Sequence, residues 1–483
     1  MEPAERPDGP ADEPAAEPAD GAAAEPDDLL PCTARALLHR VSVAQADGRA
    51  PSIVAAVTRN GRQVWCGSRG TVGGRAPDAH TAYRIGSITK TFTAVLVMRL
   101  RDEGRLALTD PIERHVPGTG LGGATVGQLL AHLAGAVAEP PGPWWERTPG
   151  DLRPDLPAVL GPKPVVHPHG QRFHYSNPGY AVLGELIERL RGRAWAEALT
   201  AEILVPLGLA HTGPGPSARH ARGWAVHPWA DVLLPEPTQD YGRMAPAGQL
   251  WSTADDLCRF AAFLAAGDDR VLSRASVEEM RRPVAPPEGP DPNLHYGLGM
   301  QVAHRDGRAL AGHTGSVPGF LASLWFCPDV GLAAAALTNT TAGIVVGDLV
   351  QDLVGIVAER EPRIPAQWRP ASDPDPALLA LTGPWYWGPV PFTLRVREGR
   401  TLELGSMVGS RGTRLRPEPD GTWTGLEGYF AGETLRVARD GQGTVTHLDL
   451  GTFVFVREPY DPGAPVPGGV DPDGWRSVAD PPP

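Results

Sequence analysis

Strand-like segments at both ends of one region, with helical segments between them, constrain the fold of this chain most strongly. Near the beginning, apolar runs at 53–57 and 63–65 flank an Asn60-Gly61 pair, which is typical of a tight hairpin turn. Three more strand-like segments come much later, at 309–313, 320–326 and 332–338. We therefore predict one sheet that is assembled from both ends of the region.

The segments between these strands have helical periodicity. From Ser87 to about Glu103, Phe92, Leu96 and other apolar residues recur at helical spacing, and Gly104 follows as a stop signal. A second helix is predicted over roughly 179–190. An α+β fold is expected, in which an antiparallel sheet carries helices on both faces beside a helical subdomain.

Composition divides the chain into five parts. Residues 1–28 hold ten acids and one Arg and little to bury, so we expect a disordered tail. The predicted parts are this tail, a main domain at 29–360, a Pro-rich linker at 361–376, a small all-β domain at 377–458 and a Pro/Gly-rich tail at 459–483.

Charge and composition exclude several classes of function. The net charge is −12, of which residues 1–28 carry −9, so the remainder has no basic excess to bind nucleic acid. Apolar runs are too short to cross a bilayer, and no basic segment followed by an apolar one begins the chain, so we expect a cytoplasmic protein without membrane contact. Four dispersed cysteines suggest no metal site or disulfide framework, and no cofactor is predicted.

The sharpest chemical signal is Ser87-Ile88-Thr89-Lys90. Positions i and i+3 of a helix lie one above the other, so Ser87 at a helix start would have the Lys90 amine one turn behind it. A serine hydroxyl needs an adjacent base to become a nucleophile, and a partly desolvated lysine can serve. The alternative is a capping serine beside an unrelated surface lysine.

A second signal, Tyr175-Ser176-Asn177, directly precedes the second predicted helix. A phenol here could relay a proton to a leaving group, and the Asn177 amide could hold a substrate carbonyl. The alternative is that Asn177 only caps the helix.

The tripeptide His-Thr-Gly occurs twice, at 211–213 and 313–315. A strand edge that stabilises an oxyanion must offer a backbone N–H just after the glycine. Pro214 has none, whereas Ser316 has one, so we choose the copy that contains His313.

In this order, the three motifs resemble those of the serine β-lactamase-like family, which includes class C β-lactamases, D-alanyl-D-alanine carboxypeptidases and related esterases. The segments 175–190, 247–257 and 312–320 also look like the family's segments. The resemblance covers about 30–345 and implies a β-lactamase/transpeptidase-like fold. The domain at 377–458 resembles, more weakly, small β domains appended to actinobacterial hydrolases of this family.

By this resemblance, Ser87 attacks a carbonyl to form an acyl-enzyme, Lys90 accepts its proton, and Tyr175 relays the proton to the leaving group. The oxyanion would rest on the backbone N–H groups of Ser87 and Ser316. The substrate-binding set completes the site and consists of Asn177, His313, Thr314, Gly315 and Ser316. Class C β-lactamases usually carry Lys where this chain has His313, and the His form resembles D,D-peptidases and some esterases.

Two other segments of the chain give weaker indications of function. Trp144 and Trp145 could form a wall of the cleft against an apolar acyl group, or could anchor their loop on the body of the protein. At 132–135 the chain reads His-Leu-Ala-Gly where relatives commonly read His-Thr-Ser-Gly, and we predict a structural turn there and no catalytic role for His132.

The leading hypothesis is a cytoplasmic serine hydrolase that acts on a small ester or amide. The first alternative is a D-alanyl-D-alanine carboxypeptidase or β-lactamase, which would predict an exported protein. The second is a sensor that is acylated without turnover. The expected partner is a small-molecule substrate, and no sequence feature specifies an oligomeric state.

Overall fold

A computed structural model describes residues 29–149, 153–285, 291–365, 367–368, 370, 375–409, 411–459, 463 and 465. These residues form two compact units, the first up to Pro365 and the second from 367 onward. The tail predicted at 1–28 and nearly all of the one predicted at 459–483 lie outside the described residues. Within the described part of the chain, no helix has the length and apolar character that a membrane span needs.

The first unit contains eleven described α-helices and eleven strands. The helices are α1 Pro31–Asp47, α2 Thr89–Asp102, α3 Val126–Leu130, α4 Leu156–Leu160, α5 Asn177–Arg191, α6 Trp195–Leu199, α7 Val205–Leu207, α8 Ala245–Gly248, α9 Ala254–Ala266, α10 Arg274–Met280 and α11 Val346–Arg360. The strands are β1 Ser52–Arg59, β2 Arg62–Gly70, β3 Tyr83–Arg84, β4 Trp224–Val226, β5 Leu233–Pro235, β6 Trp251–Ser252, β7 Leu294–Tyr296, β8 Gln301–Arg305, β9 Arg308–Val317, β10 Phe320–Cys327 and β11 Leu332–Thr338. A π-helical turn, Thr200–Leu204, joins α6 to α7.

The main sheet is antiparallel and has the order β2-β1-β11-β10-β9-β8-β7. Strand β1 pairs with β11, with Ile53 opposite Thr338, so the sheet joins both ends of the unit as the sequence predicts. Asn60 and Gly61 both have positive φ, at 50° and 80°, as a two-residue hairpin of this type requires.

Apolar side chains cover both faces of this sheet. On one face, α1 and α11 pack through residues such as Leu37 and Leu353 against Ile53. On the other face, a larger core includes the buried sides of α2, α5 and α9, where the rings of Phe92 and Phe260 stack with centroids 3.7 Å apart. The predicted arrangement, a sheet with helices on both faces, is confirmed.

Helix α5 begins two residues earlier than its periodicity predicts, at Asn177. The residue that caps it is Ser176, whose hydroxyl oxygen accepts the Gly179 N–H at 3.0 Å. The interpretation of Asn177 as the cap is therefore wrong, and its side-chain amide is directed elsewhere.

The second unit is an all-β domain, as predicted, preceded by the short helix α12 (Pro376–Leu379). Its eight strands pair in chain order and are antiparallel: β12 Gly383–Trp387, β13 Val390–Val396, β14 Leu402–Ser406, β15 Thr413–Pro417, β16 Trp423–Gly425, β17 Thr434–Arg439, β18 Val445–Leu450 and β19 Phe453–Phe455. Reciprocal backbone hydrogen bonds of 2.7 and 2.9 Å between Tyr386 and Val456 join the first strand to the last, so the sheet closes into a barrel.

The interior of the barrel is filled by its own side chains. Trp385 is fully buried among leucines and phenylalanines, and its indole N–H donates to the Leu381 carbonyl at 2.7 Å. The aromatic cluster at 385–387 is thus mainly core, although Trp387 is more than one-third exposed.

Candidate active site

Ser87 lies in a 3₁₀ turn, Gly86–Ile88, that leads directly into α2. A hydrogen bond from the residue before the turn anchors it, because the Ile85 N–H donates to the Leu250 carbonyl at 2.9 Å. Gly86 has a positive φ of 50°, which a residue with a side chain rarely adopts. Ser87 is half-buried at the start of the helix, so part of it remains accessible to solvent.

Lys90 stands one helical turn behind Ser87 and is completely buried. Its Nζ lies 3.0 Å from Ser87 Oγ, 2.7 Å from Asn177 Oδ1 and 2.8 Å from the Ala247 carbonyl oxygen. Burial lowers the pKa of Lys90 to about 7, and the carboxylates of Glu139 and Glu146 limit the fall. Near neutral pH, a large share of the Lys90 side chain is therefore an uncharged amine that can accept the Ser87 proton.

Tyr175 approaches the same amine from the segment before α5. The Lys90 Nζ lies 4.9 Å from the centroid of the Tyr175 ring, and the His313 ring lies 6.5 Å from it, centroid to centroid. Tyr175 is half-buried. The structure thus brings the phenol side chain, the amine and the Ser87 hydroxyl into one small volume.

Asn177 connects Lys90 to an acidic residue that the sequence analysis did not identify. Its Oδ1 accepts from Lys90, while its Nδ2 donates to Glu139 Oε1 at 2.6 Å. Glu139 itself is exposed. A donating amine on one side and an accepting carboxylate on the other fix the orientation of this amide beside the nucleophile.

Strand β9 passes the Ser87 turn at very close range. A methyl group on Gly315 would lie 1.9 Å from the Ile85 carbonyl oxygen, and one on Gly86 would lie 2.7 Å from the Ser316 nitrogen. The N–H groups of Thr314 and Ser316 leave the same edge of the strand, and Gln301 Oε1 accepts the first of them at 3.2 Å. The Ser316 N–H therefore leaves the sheet on the side of Ser87.

His313 is buried in β9 and both of its ring nitrogens are engaged. Its Nδ1–H donates to the Thr314 carbonyl at 2.6 Å, and its Nε2, 2.9 Å from Tyr296 Oη, accepts that hydroxyl. Burial, together with the positive charge of Lys90, lowers the pKa of His313 to about 3. His313 is thus a neutral, internally bonded residue and not a second cation.

Thr314 differs from the expectation that it belongs to the substrate-binding set. Its side chain is directed to the beginning of α11, where its Cγ2 would touch a methyl group on Gly347 at 3.2 Å. Because side chains alternate across a strand, Thr314 faces away from His313 and Gly315.

The two tryptophans have different surroundings. Trp145 packs edge-on against Tyr241, with ring centroids 4.8 Å apart, and its indole N–H donates to Glu139 Oε2 at 2.7 Å. Trp144 is 55% exposed and donates to Glu146 Oε2 at 2.8 Å. Trp145 therefore bonds the carboxylate that orients Asn177, whereas Trp144 is mainly a solvent-facing residue of the loop.

Four contributors to this site were not predicted from the sequence. Glu139 and Glu146 could have been noticed as acids beside the Trp loop, and the Ala247 carbonyl lies in a segment that already resembled the family. Tyr296, the partner of His313, carries no signal in its neighbourhood. Among the described residues, no group of His, Cys, Asp and Glu is arranged to hold a metal ion.

Comparison with protein families decides the identity of the first unit. The Beta-lactamase family model matches residues 37–359, which is more than half of the chain. The chain belongs to the beta-lactamase family. Residues 374–457 match a second model, which is described as a domain of unknown function (DUF7586).

Similar members of the beta-lactamase family include a penicillin-binding protein. Penicillin-binding protein 4 of Amycolatopsis lactamdurans is 30% identical, over 65% of this chain and 85% of the relative. Two other curated relatives are matched over only about half of their length.

Solved structures agree with the beta-lactamase/transpeptidase-like fold. A D-stereospecific amidohydrolase from Streptomyces sp. is 28% identical with a TM-score of 0.55, and the match covers 68% of this chain and 98% of that one. The octameric penicillin-binding protein homologue from Pyrococcus abyssi is 22% identical with a TM-score of 0.59, covering 88% and 99%. The second likeness concerns the fold alone.

Proposed function

We propose that this chain hydrolyses small amides and esters through an acyl-enzyme on Ser87. The observation that carries the proposal is the position of Lys90, whose buried amine touches the Ser87 hydroxyl and has a pKa of about 7. Family membership supports a serine hydrolase. The preference for amides and esters over β-lactams is our own inference.

Acylation begins with a proton transfer inside the site. As Ser87 Oγ attacks the substrate carbonyl carbon, its proton moves to the uncharged amine of Lys90. The carbonyl oxygen becomes an oxyanion between the backbone N–H groups of Ser87 and Ser316. The proton then passes from Lys90 through the Tyr175 phenol to the leaving amine or alkoxide as the carbonyl–leaving-group bond breaks.

Deacylation uses the same groups in reverse. Water enters after the leaving group departs and loses a proton to Tyr175 and Lys90 as its oxygen attacks the acyl carbon. The bond to Ser87 Oγ then breaks, Ser87 regains a proton and the carboxylic acid is released. Tyr175 acts here as a neutral relay, because His313 is neutral and supplies no positive charge to stabilise a phenolate.

The carboxylate of Glu139 supports a narrower substrate class. Glu139 is exposed and lies beside Asn177, where the acyl part of a substrate would pass. A carboxylate at this place favours substrates that carry an ammonium group. One structural relative is a D-stereospecific amidohydrolase, so we propose amides of amino acids as the first substrates to test.

The first experiment is a substrate panel on the wild type and on Ser87→Ala. It contains a p-nitrophenyl ester, amino acid amides of both configurations, a D-alanyl-D-alanine peptide and a β-lactam. Steady hydrolysis of the ester and amides, abolished in Ser87→Ala, is expected. Turnover confined to the β-lactam or the D-alanyl-D-alanine peptide would favour the penicillin-binding-protein alternative, and a burst without turnover would favour the sensor.

Glu139→Gln tests whether this carboxylate binds the ammonium group of a substrate. Each amide is compared with its N-acetylated form at one pH, so that any change in Lys90 basicity affects both equally. We expect kcat/KM for the free amine to fall by about fivefold relative to the acetylated substrate. An unchanged ratio would exclude Glu139 from ammonium binding.

A further inference from the structure

His132 has an unusual backbone for a buried residue. Its φ is +57°, in the left-handed region, although it is not glycine. The other non-glycine residues with positive φ in the described chain are all exposed: Arg49, Asn60, Arg153, Asp306 and Arg400. A strained backbone in the interior persists only where its surroundings hold it, and such places are often functional.

His132 contacts three consecutive residues, 174–176, and the phenol belongs to the middle one, Tyr175. The His132 carbonyl accepts the His174 N–H at 2.9 Å, and its Nδ1 accepts the Ser176 N–H at 3.1 Å. Between these two bonds, the imidazole ring lies against the Tyr175 ring, with centroids 4.2 Å apart. One side chain and its own carbonyl therefore hold the residue before Tyr175, the residue after it and the ring itself.

The protonation state of His132 follows from these contacts. Because Nδ1 accepts an N–H, the ring proton of the neutral form resides on Nε2. Complete burial and the nearby charge of Lys90 lower the pKa of His132 well below its ordinary value, so the ring stays neutral. Among the described residues, Nε2 has no hydrogen-bond partner. A buried donor without a partner destabilises the folded protein, so an apolar side chain in this space would make the protein more stable.

We propose that His132 is a positioning residue that fixes the Tyr175 phenol relative to Lys90 and Ser87. The ring supplies both a flat surface for Tyr175 and an acceptor for Ser176, a combination that no other natural side chain provides at this size. The inference rests on the proposed function, since the phenol must be placed in order to relay a proton. His132 itself touches none of the reacting atoms.

Two variants separate the two contributions of the ring. His132→Phe keeps an aromatic surface and removes the acceptor, while His132→Asn keeps an acceptor near the Nδ1 position and removes the ring surface. We expect kcat to fall by about 30-fold in each, with KM changed less than about threefold, because a misplaced relay slows proton transfer without weakening binding. If one variant does not fold, the other carries the test.

A double-variant cycle distinguishes positioning from general destabilisation. If His132 acts through Tyr175, its substitution has no further effect on kcat in a Tyr175→Phe background. Additive losses would overturn the inference. The matched control is His115→Asn, because His115 is another mostly buried histidine, bonded to Asp110 at 2.8 Å, and its loss should lower the melting temperature without changing kcat.

Crystal structures of the folded variants keep this test independent of activity. We expect the Tyr175 ring to be displaced or to occupy more than one rotamer, while the Lys90–Ser87 contact is retained. An unmoved Tyr175 ring would refute the positioning role, even if the substrate panel shows turnover. A displaced ring in an enzyme that hydrolyses nothing in the panel would refute the proposed function alone.

Discussion

At the scale of single residues, the chemistry depends on keeping one amine uncharged. Lys90 contacts three oxygen atoms, none of which belongs to a carboxylate, and its complete burial disfavours the charged form. The same lysine on a surface would be protonated at neutral pH and unable to accept a proton from Ser87. The fold, rather than the motif alone, turns this residue into a base.

The rate of hydrolysis should depend on the protonation of Lys90. Since only uncharged Lys90 accepts the Ser87 proton, kcat/KM should rise with pH through a midpoint near 7 and level off above it. His313, with a pKa of about 3, does not titrate in this range. A rate profile between pH 5.5 and 9 measures the midpoint, and a profile that falls as the pH rises through 7 would contradict Lys90 as the base.

Glu139→Gln provides the internal control for this profile. The Glu139 carboxylate favours the charged form of Lys90, so its removal should move the midpoint to lower pH. An N-acetylated substrate is used, so that any ammonium subsite plays no part. A midpoint that stays in place or moves upward would mean that the observed titration belongs to another group.

At the residue scale, short motifs are the signal that the sequence offers. Ser87, Lys90 and Asn177 were selected because they belong to uncommon motifs in a specific order, and the structure places their side chains in contact. Glu139 and Tyr296 were missed because they reach the site from segments whose path is fixed by tertiary packing.

At the scale of elements, the site depends on how closely β9 approaches the turn before α2. Neither Gly86 nor Gly315 leaves room for a side chain, because a methyl group on either would lie within 3 Å of backbone atoms of the other element. This contact brings the Ser316 N–H to the side of Ser87. The glycine of the His-Thr-Gly motif therefore sets a distance between two elements.

Gly315→Ala should separate the strand from the turn. We expect kcat for the ester to fall by about 100-fold, the loss associated with one oxyanion donor, with a smaller change in KM. The matched control is Gly355→Ala in α11, where a methyl group would meet no atom within 4 Å. Retention of wild-type kcat in a folded Gly315→Ala protein would contradict this role of the contact.

Elements with strong periodicity were predicted well from the sequence, whereas short ones were not. The first hairpin and strands β9, β10 and β11 agree with their patterns. The strands β3 and β6, of two residues each, were not predicted, because two residues are too few for an apolar alternation to show. The start of α5 was placed two residues late, because the Ser176 cap depends on a hydrogen bond that spacing does not reveal.

At the scale of the whole molecule, each unit has its own apolar core. The first has layers on both faces of its sheet, and the second encloses its core within a closed barrel. The pairing of β1 with β11 was predictable because helical segments separate two groups of strands. The closure of the barrel was not, since it depends on two residues 70 positions apart, Tyr386 and Val456.

The closed barrel predicts that residues 375–459 fold when expressed alone. Such a fragment should show a cooperative thermal transition, because it pairs all eight strands and fills its own interior. A fragment that ends at Gly451 lacks β19 and the closing pair, and it should lose the transition. Calorimetry of both fragments tests this, and a non-cooperative longer fragment would contradict it.

The central claim is that one buried amine activates one serine for attack on a carbonyl. Rapid quenching with a slowly hydrolysed activated ester, followed by peptide mass spectrometry, measures it most directly. We expect one acyl group per chain, attached to Ser87, formed at least about 100-fold more slowly in Lys90→Ala and absent in Ser87→Ala. Acylation of another residue, or acylation of Ser87 at an unchanged rate in Lys90→Ala, would contradict the account.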